Sequence, residues 1–322
     1  LRITSRQSFQ FHGVVKSGLG ALMRGINDAL ATTLAACGDV NRNVMAPPTP
    51  ARNGLAARVL EDSKLVAQAL LPRTKAYHQI WVEGVKLKLD DSDYEDPLYG
   101  KTYLPRKFKV GFAIPPLNDT DVLTNCLGFI AIKKDDKLAG YNLTAGGGMG
   151  MTHNNAKTYP RVADVIGFFT PKHIEEVAKS VLTVHRDFGD RGDRRHARLK
   201  YVLTERGVEW FRGEVEERAG IMLEEPRMFD FERQGDLFGW HEAMNGSCFL
   251  GLHVLSGRIK GAMKTALQQI VQTHRPEVRL TPTQNLLLCG VATEDKDKIN
   301  SILSEHGLAV EEVEQGTLLE RG

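Results

Sequence analysis

The sequence is short of cysteine and of net charge, and each shortage excludes a class of protein. Its 322 residues include four cysteines, 7% aromatic residues and a formal net charge of +2. Four widely spaced cysteines fit neither a disulfide framework nor a local metal-binding knuckle. A nearly balanced charge gives no support to non-specific nucleic-acid binding. Any functional effect of charge in this protein must therefore come from the positions of particular residues.

Long apolar runs are also lacking. No window approaches the roughly 20 apolar residues that span a bilayer, and the chain does not open with a secretory signal pattern. We therefore expect no membrane association and a cytoplasmic location, or the plastid stroma if the source is a plant or alga. The sequence does have an ordinary globular composition, with 42% hydrophobic and 25% charged residues. Its length suits about two domains.

An internal repeat is the most informative pattern. Residues 1–14 align without gaps on residues 278–291, and the five identical pairs are Arg2/Arg279, Thr4/Thr281, Gln7/Gln284, Gly13/Gly290 and Val14/Val291. Each copy alternates apolar and polar residues as a half-buried strand does. The offset of 277 residues is far longer than the period of a solenoid. The repeat predicts a pseudo-symmetric protein in which two related strands meet, although five matches in fourteen also arise by chance.

The coarse secondary structure predicts an α+β fold in two parts. Helical patterns follow both copies of the repeat, and a further strand and helix precede the second copy, so the two ends of the chain are expected to form one unit. Between them lies a large insert with a predicted hairpin. The predicted helices cover residues 18–37, 171–188, 207–220, 259–274 and 296–307, and the predicted strands cover residues 109–114, 128–132, 140–144 and 249–254.

The two copies of the repeat differ in charge. The first copy has Arg6 and His12, whereas the second has Thr283 and Cys289 at these positions. The asymmetry indicates an anion site on one side of the molecule or, equally, an arginine on an exposed strand edge.

Two further concentrations of positive charge also allow two interpretations. Strand alternation puts Lys107 and Lys109 on one face, opposite Phe108. Like charges repel, so these lysines either spread into solvent or converge on a polyanion. The second concentration is a carboxylate-binding surface or a solvated face, and its members are Arg186, Arg191, Arg194, Arg195, Arg198 and Lys200.

A glycine run, GGGMG at residues 146–150, follows a predicted strand. Its spacing is not that of the dinucleotide-binding fingerprint. Glycine lets the backbone approach a flat ligand closely, and a flexible turn is the alternative. The isolated histidines show no metal-ligand spacing, and no Ser-His-Asp signature is visible.

Together these clusters resemble one family over essentially the whole chain. The motifs are TSRQSFQFHG (residues 4–13), DVNRNV (39–44), LPR (71–73), YLPRKFK (103–109), GGG (146–148) and TPTQN (281–285). In this order they resemble the haemoprotein of assimilatory sulfite reductase, within the siroheme and [4Fe–4S] nitrite and sulfite reductase family. The resemblance implies a six-electron reduction of sulfite to sulfide and a pseudo-twofold fold with paired ferredoxin-like half-domains.

The resemblance also implies a division of the chain. Residues 1–66 and 236–312 would form the paired half-domains, residues 67–235 an inserted α+β domain that binds siroheme and substrate, and residues 313–322 the start of a C-terminal cluster domain. The cluster cysteines of the family, in Cys-x5-Cys and Cys-x3-Cys motifs, are expected beyond Gly322. We therefore expect no metal ligand in this chain and no activity from this span alone.

The site residues follow from the same resemblance. Siroheme bears eight carboxylates and sulfite is a small dianion, so both need positive partners when they are buried. The residues that match the sulfite-binding positions of the family are Arg6, Arg73, Lys107 and Lys109. The candidates for the rim of the siroheme are Arg42, Arg106, Asn125, His153, Lys200 and Gln284. Lys109 favours sulfite, since the related nitrite reductases tend to have asparagine there, and Cys126 stands where the family usually has an acid.

The electron donor is predicted from two shorter segments. Residues 239–242 and 251–258 resemble the ferredoxin-dependent branch more than the NADPH enzyme, whose haemoprotein works with a flavoprotein partner. Ferredoxin is therefore the predicted donor, with an NADPH-type haemoprotein or a nitrite reductase as alternatives. A non-catalytic siroheme- or anion-binding module is the alternative from another class.

Overall fold

The structure, a computed structural model, describes residues 1–50, 54–73, 81–83, 85–86, 95–243 and 246–308. The strands are β1 (Arg2–Ile3), β2 (Phe9–Gln10), β3 (Trp81–Val82), β4 (Val85–Lys86), β5 (Val110–Ala113), β6 (Leu117–Asn118), β7 (Leu127–Lys134), β8 (Lys137–Ala145), β9 (Asp164–Phe169), β10 (Arg233–Gln234), β11 (Gly239–Glu242), β12 (Cys248–Leu252), β13 (Glu277–Leu280) and β14 (Leu286–Val291). The helices are α1 (Leu19–Asp28), α2 (Gly54–Ala69), α3 (Ile174–Phe188), α4 (Leu199–Arg206), α5 (Val208–Ala219), α6 (Gly261–His274) and α7 (Lys296–Glu305). Within these residues no helix is both long and apolar enough to cross a bilayer.

The larger of two four-stranded sheets lies in the middle of the chain. Its order is β5-β7-β8-β9, with β5 parallel to β7 and the other neighbours antiparallel. β7 and β8 form the predicted hairpin, whose turn places Asp135 and Asp136 at positive φ. Helices α2, α3 and α5 contribute to the large core that this sheet covers. The edge strand β5 carries the lysines of the candidate site at its entrance.

The smaller sheet comes from the C-terminal part of the chain, in the antiparallel order β11-β12-β14-β13. Alternate residues of β14, Leu286 and Leu288, share a core with Ile270 of α6 and Ile299 of α7. Leu287, between them, packs on the other side of the sheet, as the period of a strand requires. Strands and helices are thus mixed in both parts of the chain, and the α+β prediction is confirmed.

The repeat extends beyond the residues that are identical in sequence. β1, β2 and α1 lie 277 positions before β13, β14 and α7, so that Leu19–Asp28 corresponds to Lys296–Glu305. Each copy is a hairpin and not the single strand that the alternation predicts, because a turn interrupts it. The N–H of Thr4 donates to the carbonyl of Ser8 at 2.8 Å, and the N–H of Thr281 donates to that of Asn285 at 2.9 Å. The pseudo-symmetric arrangement is confirmed, and the single-strand prediction is wrong.

The two copies meet in the smaller unit. Ile3 of the first copy is fully buried in the core that the second copy forms with α6. The N–H of Ile259 donates to the carbonyl of Leu1 at 3.0 Å. The ends of the chain therefore pack against each other, as the sequence predicts.

Most predicted elements are present, with two kinds of error. The predicted helix over residues 18–37 ends at Asp28, where Leu30 turns to a φ of 56° and the β-branched Thr32 and Thr33 follow. Sequence patterns also missed α2, α4, β9 and β11. α4 lies at the end of the basic run, where charge obscured its apolar residues.

The boundaries of the three-part division stay a prediction. Residue 66 lies inside α2, and the buried residues Leu55, Val59 and Val66 of that helix belong to the large core. This packing favours a first boundary before α2. Residues 313–322 lie outside the described residues.

Candidate anion-binding site

Lys107 and Lys109 lie at the entrance to β5. Phe108 between them is fully buried in the large core. Its N–H donates to the carbonyl of Val40 at 3.0 Å, and its own carbonyl accepts from the N–H of Arg42 at 2.9 Å. The two lysines project from the opposite face, and in the described part of the chain neither ammonium has a hydrogen-bond or carboxylate partner. The strand thus holds two unpaired positive charges side by side.

Arg6 reaches the same place from the turn between β1 and β2. Its Nη1 donates to Oδ1 of Asn125 at 2.8 Å, and its Nη2 donates to the carbonyls of Val110 at 2.8 Å and Asn43 at 2.6 Å. Its Nε is buried without a partner. Burial, with the charge of Arg42 nearby, lowers the pKa of Arg6 to about 10. A buried donor without an acceptor is unfavourable, and an anion would satisfy it.

The positively charged side chains of the site lower the pKa values of their neighbours. Burial lowers the pKa of Lys109 to about 8, and the charge of Arg6 adds to this effect, followed by those of Lys107 and Arg198. Burial also lowers the pKa of Lys107, with Arg198 as the strongest charged neighbour. A positive charge nearby disfavours the protonated form of a lysine and so lowers its pKa. The structure therefore brings together Arg6, Lys107, Lys109 and Arg198, which we call the cation cluster.

The basic run before α4 divides into two groups. Three of its arginines bind carboxylates or backbone carbonyls elsewhere in the protein, namely Arg186, Arg191 and Arg194. The side chains of Arg195 and Arg198, in contrast, have no hydrogen-bond or ion-pair partner within the described ranges. The guanidinium of Arg198 lies beside Gly150, where an added Cβ would stand 3.1 Å from it. One part of the run is structural, and the other belongs to the site.

Lys200 is buried, with 1% of its surface exposed. Its Nζ donates to the carbonyls of Gly148 at 3.0 Å, Gly150 at 2.9 Å and Tyr159. Burial lowers its pKa to about 8. An ammonium has three N–H donors, and all three are used here. The structure therefore gives Lys200 a task in holding the glycine run, and its role at the siroheme rim stays a prediction.

The glycine run packs tightly against the segment that carries Asn125. The N–H of Gly147 donates to the carbonyl of Asn125 at 2.9 Å, and a Cβ on Gly147 would lie 2.6 Å from that oxygen. Gly146 has a φ of 83°, which a residue with a Cβ rarely adopts. These two glycines serve the close approach of two backbone segments, so a flexible turn is the wrong interpretation of them. Whether the run also faces a flat ligand stays a prediction.

Three rim candidates surround the cation cluster. The Nη1 of Arg42 donates to the carbonyl of Ala36 and its Nη2 to that of Gly38, each at 3.0 Å. The charge of Arg42 also lowers the pKa of Arg6. The charge of Arg106 contributes to the lowered pKa of Lys107. Asn125 is buried, and its amide is used for Arg6 and for the carbonyl of Asp121 at 3.1 Å. Asn125 therefore positions Arg6.

The other sequence candidates are described by contacts of their own. Arg73 follows α2 with an exposed side chain, and its N–H donates to Oδ2 of the buried Asp96 at 2.7 Å. His153 is exposed in the turn after the glycine run. Gln284 donates to the carbonyl of Ile3 at 2.9 Å. His12, the second charged residue of the repeat, is exposed and pairs with Gln10. Roles for Arg73, His153 and Gln284 toward a ligand stay predictions.

Sequence reasoning missed two residues of the site. Arg198 was one of six positive residues in the basic run, and what distinguishes it is its place beside Gly150 and the effect of its charge on the pKa values of Lys107 and Lys109. Asn43 was inside the DVNRNV motif, and its Nδ2 donates to the carbonyl of Arg6 at 2.7 Å. No spacing rule identifies either residue, because their neighbours come from distant parts of the chain.

The chemistry that this arrangement supports is the binding of anions. The side chains of the cation cluster offer N–H donors and positive charge, with Arg6 held rigidly by three acceptors. In the described ranges, no group of three or more His, Cys, Asp and Glu side chains is placed to hold a metal ion. The four cysteines are all unpaired. Fold and site together define a pseudo-symmetric α+β protein with a cation cluster, formed without carboxylate partners, at the edge of its larger sheet.

Comparison with known proteins agrees with this description. The sequence matches the nitrite and sulphite reductase 4Fe-4S domain over residues 61–223 and the nitrite/sulfite reductase ferredoxin-like half domain over residues 241–306. It is 48% identical to the sulfite reductase [NADPH] hemoprotein beta-component of Geobacillus kaustophilus and 49% identical to that of Myxococcus xanthus. Each match covers 96% of this chain and 55% of the relative. The chain thus spans about half the length of these relatives.

The fold also has a solved counterpart. The structure of the Mycobacterium tuberculosis NirA protein superimposes with a TM-score of 0.75 at 23% sequence identity, covering 96% of this chain and 52% of that one. At this identity the likeness concerns the fold alone. This chain belongs to the nitrite and sulphite reductase family, as its sequence motifs predict.

Siroheme and a [4Fe–4S] cluster are the cofactors of this family, and the described residues fit them unequally. The unpaired side chains of Lys107, Lys109 and Arg198 fit the carboxylates of siroheme or a small anion, since each has N–H donors without acceptors. The cysteines do not fit the cluster, because Cys126 precedes β7 whereas Cys248 and Cys289 lie in the smaller sheet. The described residues therefore include unpaired donors that an anion would satisfy and no recognisable cluster ligands.

Proposed function

We propose that this chain is the anion- and siroheme-binding part of a sulfite reductase haemoprotein, which reduces sulfite to sulfide with six electrons. The observation that carries the proposal is the cation cluster, above all the buried Nε of Arg6 that has no acceptor. Positive groups that lower one another's pKa in a partly buried place are stabilised by an anion between them. Sulfite is a compact dianion of the right charge, and the names of the curated relatives support it as the substrate.

The residues of the cluster have separate tasks in this proposal. Arg6 is rigid, so it would orient the oxyanion through Nε. Lys107 and Lys109 are mobile ammonium groups that would neutralise the remaining charge. With a pKa of about 8, Lys109 can also give up a proton near neutral pH, as the release of oxygen as water requires. Siroheme, when bound, would supply the electrons at its iron.

The comparisons favour an NADPH-type haemoprotein over the ferredoxin-dependent enzyme. Both relatives named above are beta-components of NADPH enzymes. We therefore propose a flavoprotein component as the electron-donating partner, and ferredoxin becomes the alternative. The cytoplasmic location stays part of the proposal.

The experiment uses the complete reading frame that contains this chain. The purified protein is assayed for sulfite reduction with reduced methyl viologen, which bypasses the natural donor. We expect Arg6→Ala and Lys107→Met to lower kcat/KM for sulfite by at least a factor of about 10 each, because each removes a charged hydrogen bond worth roughly 1.5–3 kcal/mol. Lys133→Met is the matched control, since that lysine is exposed near the end of β7 and its ammonium lies 3.7 Å from the carboxylate of Asp136.

Two results would count against the proposal. A full-length protein that binds siroheme but reduces neither sulfite nor nitrite would favour the non-catalytic module. Equal losses in Lys107→Met and Lys133→Met would remove the cation cluster from the mechanism. The donor is tested separately, by comparing NADPH plus the flavoprotein component with reduced ferredoxin on the same preparation.

A further inference from the structure

Gln7 and Gln284 occupy the same position in the two copies of the repeat. The Nε2 of Gln7 donates to the carbonyl of Leu280 at 3.0 Å, and the Nε2 of Gln284 donates to the carbonyl of Ile3 at 2.9 Å. Ile3 and Leu280 are themselves related by the offset of 277. The two hydrogen bonds are therefore one contact made twice, once in each direction across the pseudo-symmetric interface. We call this pair the glutamine clasp.

Both glutamines have a backbone conformation that needs support. The φ angle is 52° at Gln7 and 70° at Gln284, in the left-handed region that residues with a Cβ seldom occupy. Such a conformation persists when the surroundings impose it. In each turn, the side-chain hydrogen bond to the other copy helps to hold the glutamine in this conformation. The conformation of each turn therefore depends on the other copy.

The first copy has further bonds, and they lead to Arg6. The amide of Gln7 also pairs with both backbone groups of Ala46, at 2.8 Å to its carbonyl and 3.2 Å from its N–H. Asn43, three residues before Ala46, donates from its side chain to the carbonyls of Arg6 at 2.7 Å and Gln7 at 3.3 Å. Met45, next to Ala46, pairs with Gly111 of β5. Gln7 thus joins the turn that carries Arg6 to the strand that carries Lys109.

We propose that the glutamine clasp is a positioning device for Arg6. It sets the turn of residues 4–8 so that the guanidinium group lies against Asn125 and Val110, with Nε directed to the anion. Gln7 acts from the neighbouring position, and Gln284 acts from the other copy of the repeat, through Ile3. The inference rests on the proposed anion site.

Inorganic sulfate is a suitable probe, because it is a compact dianion and is not reduced in the absence of an electron donor. Its affinity for the full-length protein is measured by calorimetry at pH 7 in Gln284→Met, which removes the amide and keeps the volume, and in Gln7→Met. We expect each variant to bind sulfate about tenfold more weakly. The losses should be less than additive in the double variant, because both glutamines act on the same turn. Gln10→Met is the control, since Gln10 lies in the same hairpin, is exposed and pairs only with His12.

A double-mutant cycle separates positioning from general destabilisation. In an Arg6→Ala background, Gln284→Met should have no further effect on sulfate affinity, whereas a merely structural role would leave its effect unchanged. If Gln284→Met lowers the thermal midpoint and leaves sulfate affinity intact, the clasp is not a positioning device. Failure of both Gln284→Met and Gln284→Ala to fold would overturn the inference as well, by making the clasp a requirement of the fold. If Arg6→Ala itself binds sulfate normally, the proposed anion site is wrong, which is a distinguishable outcome.

Discussion

Arg6 and Lys109 illustrate how single residues prepare this site. Arg6 has three of its N–H donors occupied by protein oxygens and keeps a buried Nε without an acceptor. Lys109 has no acceptor at all in the described part of the chain. Arg6 therefore offers a donor in a fixed position, whereas Lys109 offers a positive charge that depends on pH. Both features become favourable only when an anion is present.

The lowered pKa of Lys109 predicts how anion binding depends on pH. Its ammonium is charged below a pKa of about 8 and neutral above it, whereas the unfolded chain keeps the charge to about 10.5. Affinity for sulfate should therefore fall as the pH rises through about 8. Without an anion, this residue makes the folded state more stable as the pH rises from about 8 to about 10.5, because the unfolded state then binds more protons. Calorimetric titrations from pH 6 to 10 would measure the first effect.

The variant Lys109→Met is the control for this prediction. It should bind sulfate more weakly at pH 7 and should lose the fall near pH 8. The pKa of Lys200 is also lowered to about 8, so a fall that persists in Lys109→Met would assign the titration to another group.

Cys126 offers a second test at the level of single residues. Its charge, when it is a thiolate, raises the pKa of Lys109. A carboxylate at the same position is ionised at lower pH and acts in the same direction. Cys126→Asp should therefore move the midpoint of the pH dependence of sulfate binding above its value of about 8 in the parent protein. Cys126→Ser, which carries no charge, should not raise it, and an equal shift in both variants would contradict the electrostatic explanation.

Among the elements, the entrance to β5 and the glycine run are held in place in different ways, one by a buried side chain and the other by backbone packing. At β5 one buried aromatic ring, Phe108, fixes the strand and directs its neighbours outward. At residues 146–150 the backbone itself is the packing surface, and Lys200 binds it through the carbonyls of Gly148 and Gly150 while also binding that of Tyr159. The strand could be predicted from its alternation. The task of Lys200 could not, because its acceptors are backbone atoms that no sequence pattern marks.

Lys200→Met tests this second design. The change removes the three hydrogen bonds that Nζ donates to the carbonyls of Gly148, Gly150 and Tyr159, and we expect a loss of about 2–4 kcal/mol in the free energy of unfolding. Chemical denaturation of the full-length protein would measure it. Lys179→Met is the matched change, since Lys179 forms an exposed pair with Glu175 in α3. That variant should lose no more than about 0.5 kcal/mol. Similar losses for both lysines would show that Lys200 does not hold the run.

At the level of the whole molecule, the two copies of the repeat share a backbone plan and differ in burial. Ile299 and Leu303 of α7 are fully buried. Their counterparts in α1, at the offset of 277, are Leu22 and Ile26, and α1 has no buried residue. The same pattern of apolar residues therefore contributes to a core in one copy and lies half-exposed in the other.

This difference predicts unequal effects of matched substitutions. Ile299→Ala removes a fully buried side chain and should lower the free energy of unfolding of the 322-residue chain by about 2–5 kcal/mol. Leu22→Ala, at the corresponding position, should lower it by less than about 1 kcal/mol. Thermal and urea unfolding would measure both. A large loss for Leu22→Ala would mean that α1 is buried in solution.

Prediction from sequence succeeded where the evidence is local or periodic. The alternation around Phe108, the hairpin of β7 and β8 and helices α3, α5, α6 and α7 all follow from spacing and turn residues. It failed where charge masks an apolar pattern, as in α4, and where a turn inside a short repeat splits one predicted strand into two. The family itself was evident from motifs, since these record the contacts of a cofactor and a substrate.

The sequence by itself determined the family, the pseudo-symmetric plan and the presence of Lys107 and Lys109 on one face of a strand. Only the tertiary structure decided which positive residues remain unpaired, that Lys200 serves the backbone and that two glutamines join the copies of the repeat. The physical reason is the range of the interactions. Periodicity acts between residues a few positions apart, whereas the partners of Arg6, Lys200 and Gln284 come from segments that meet only when the chain is folded.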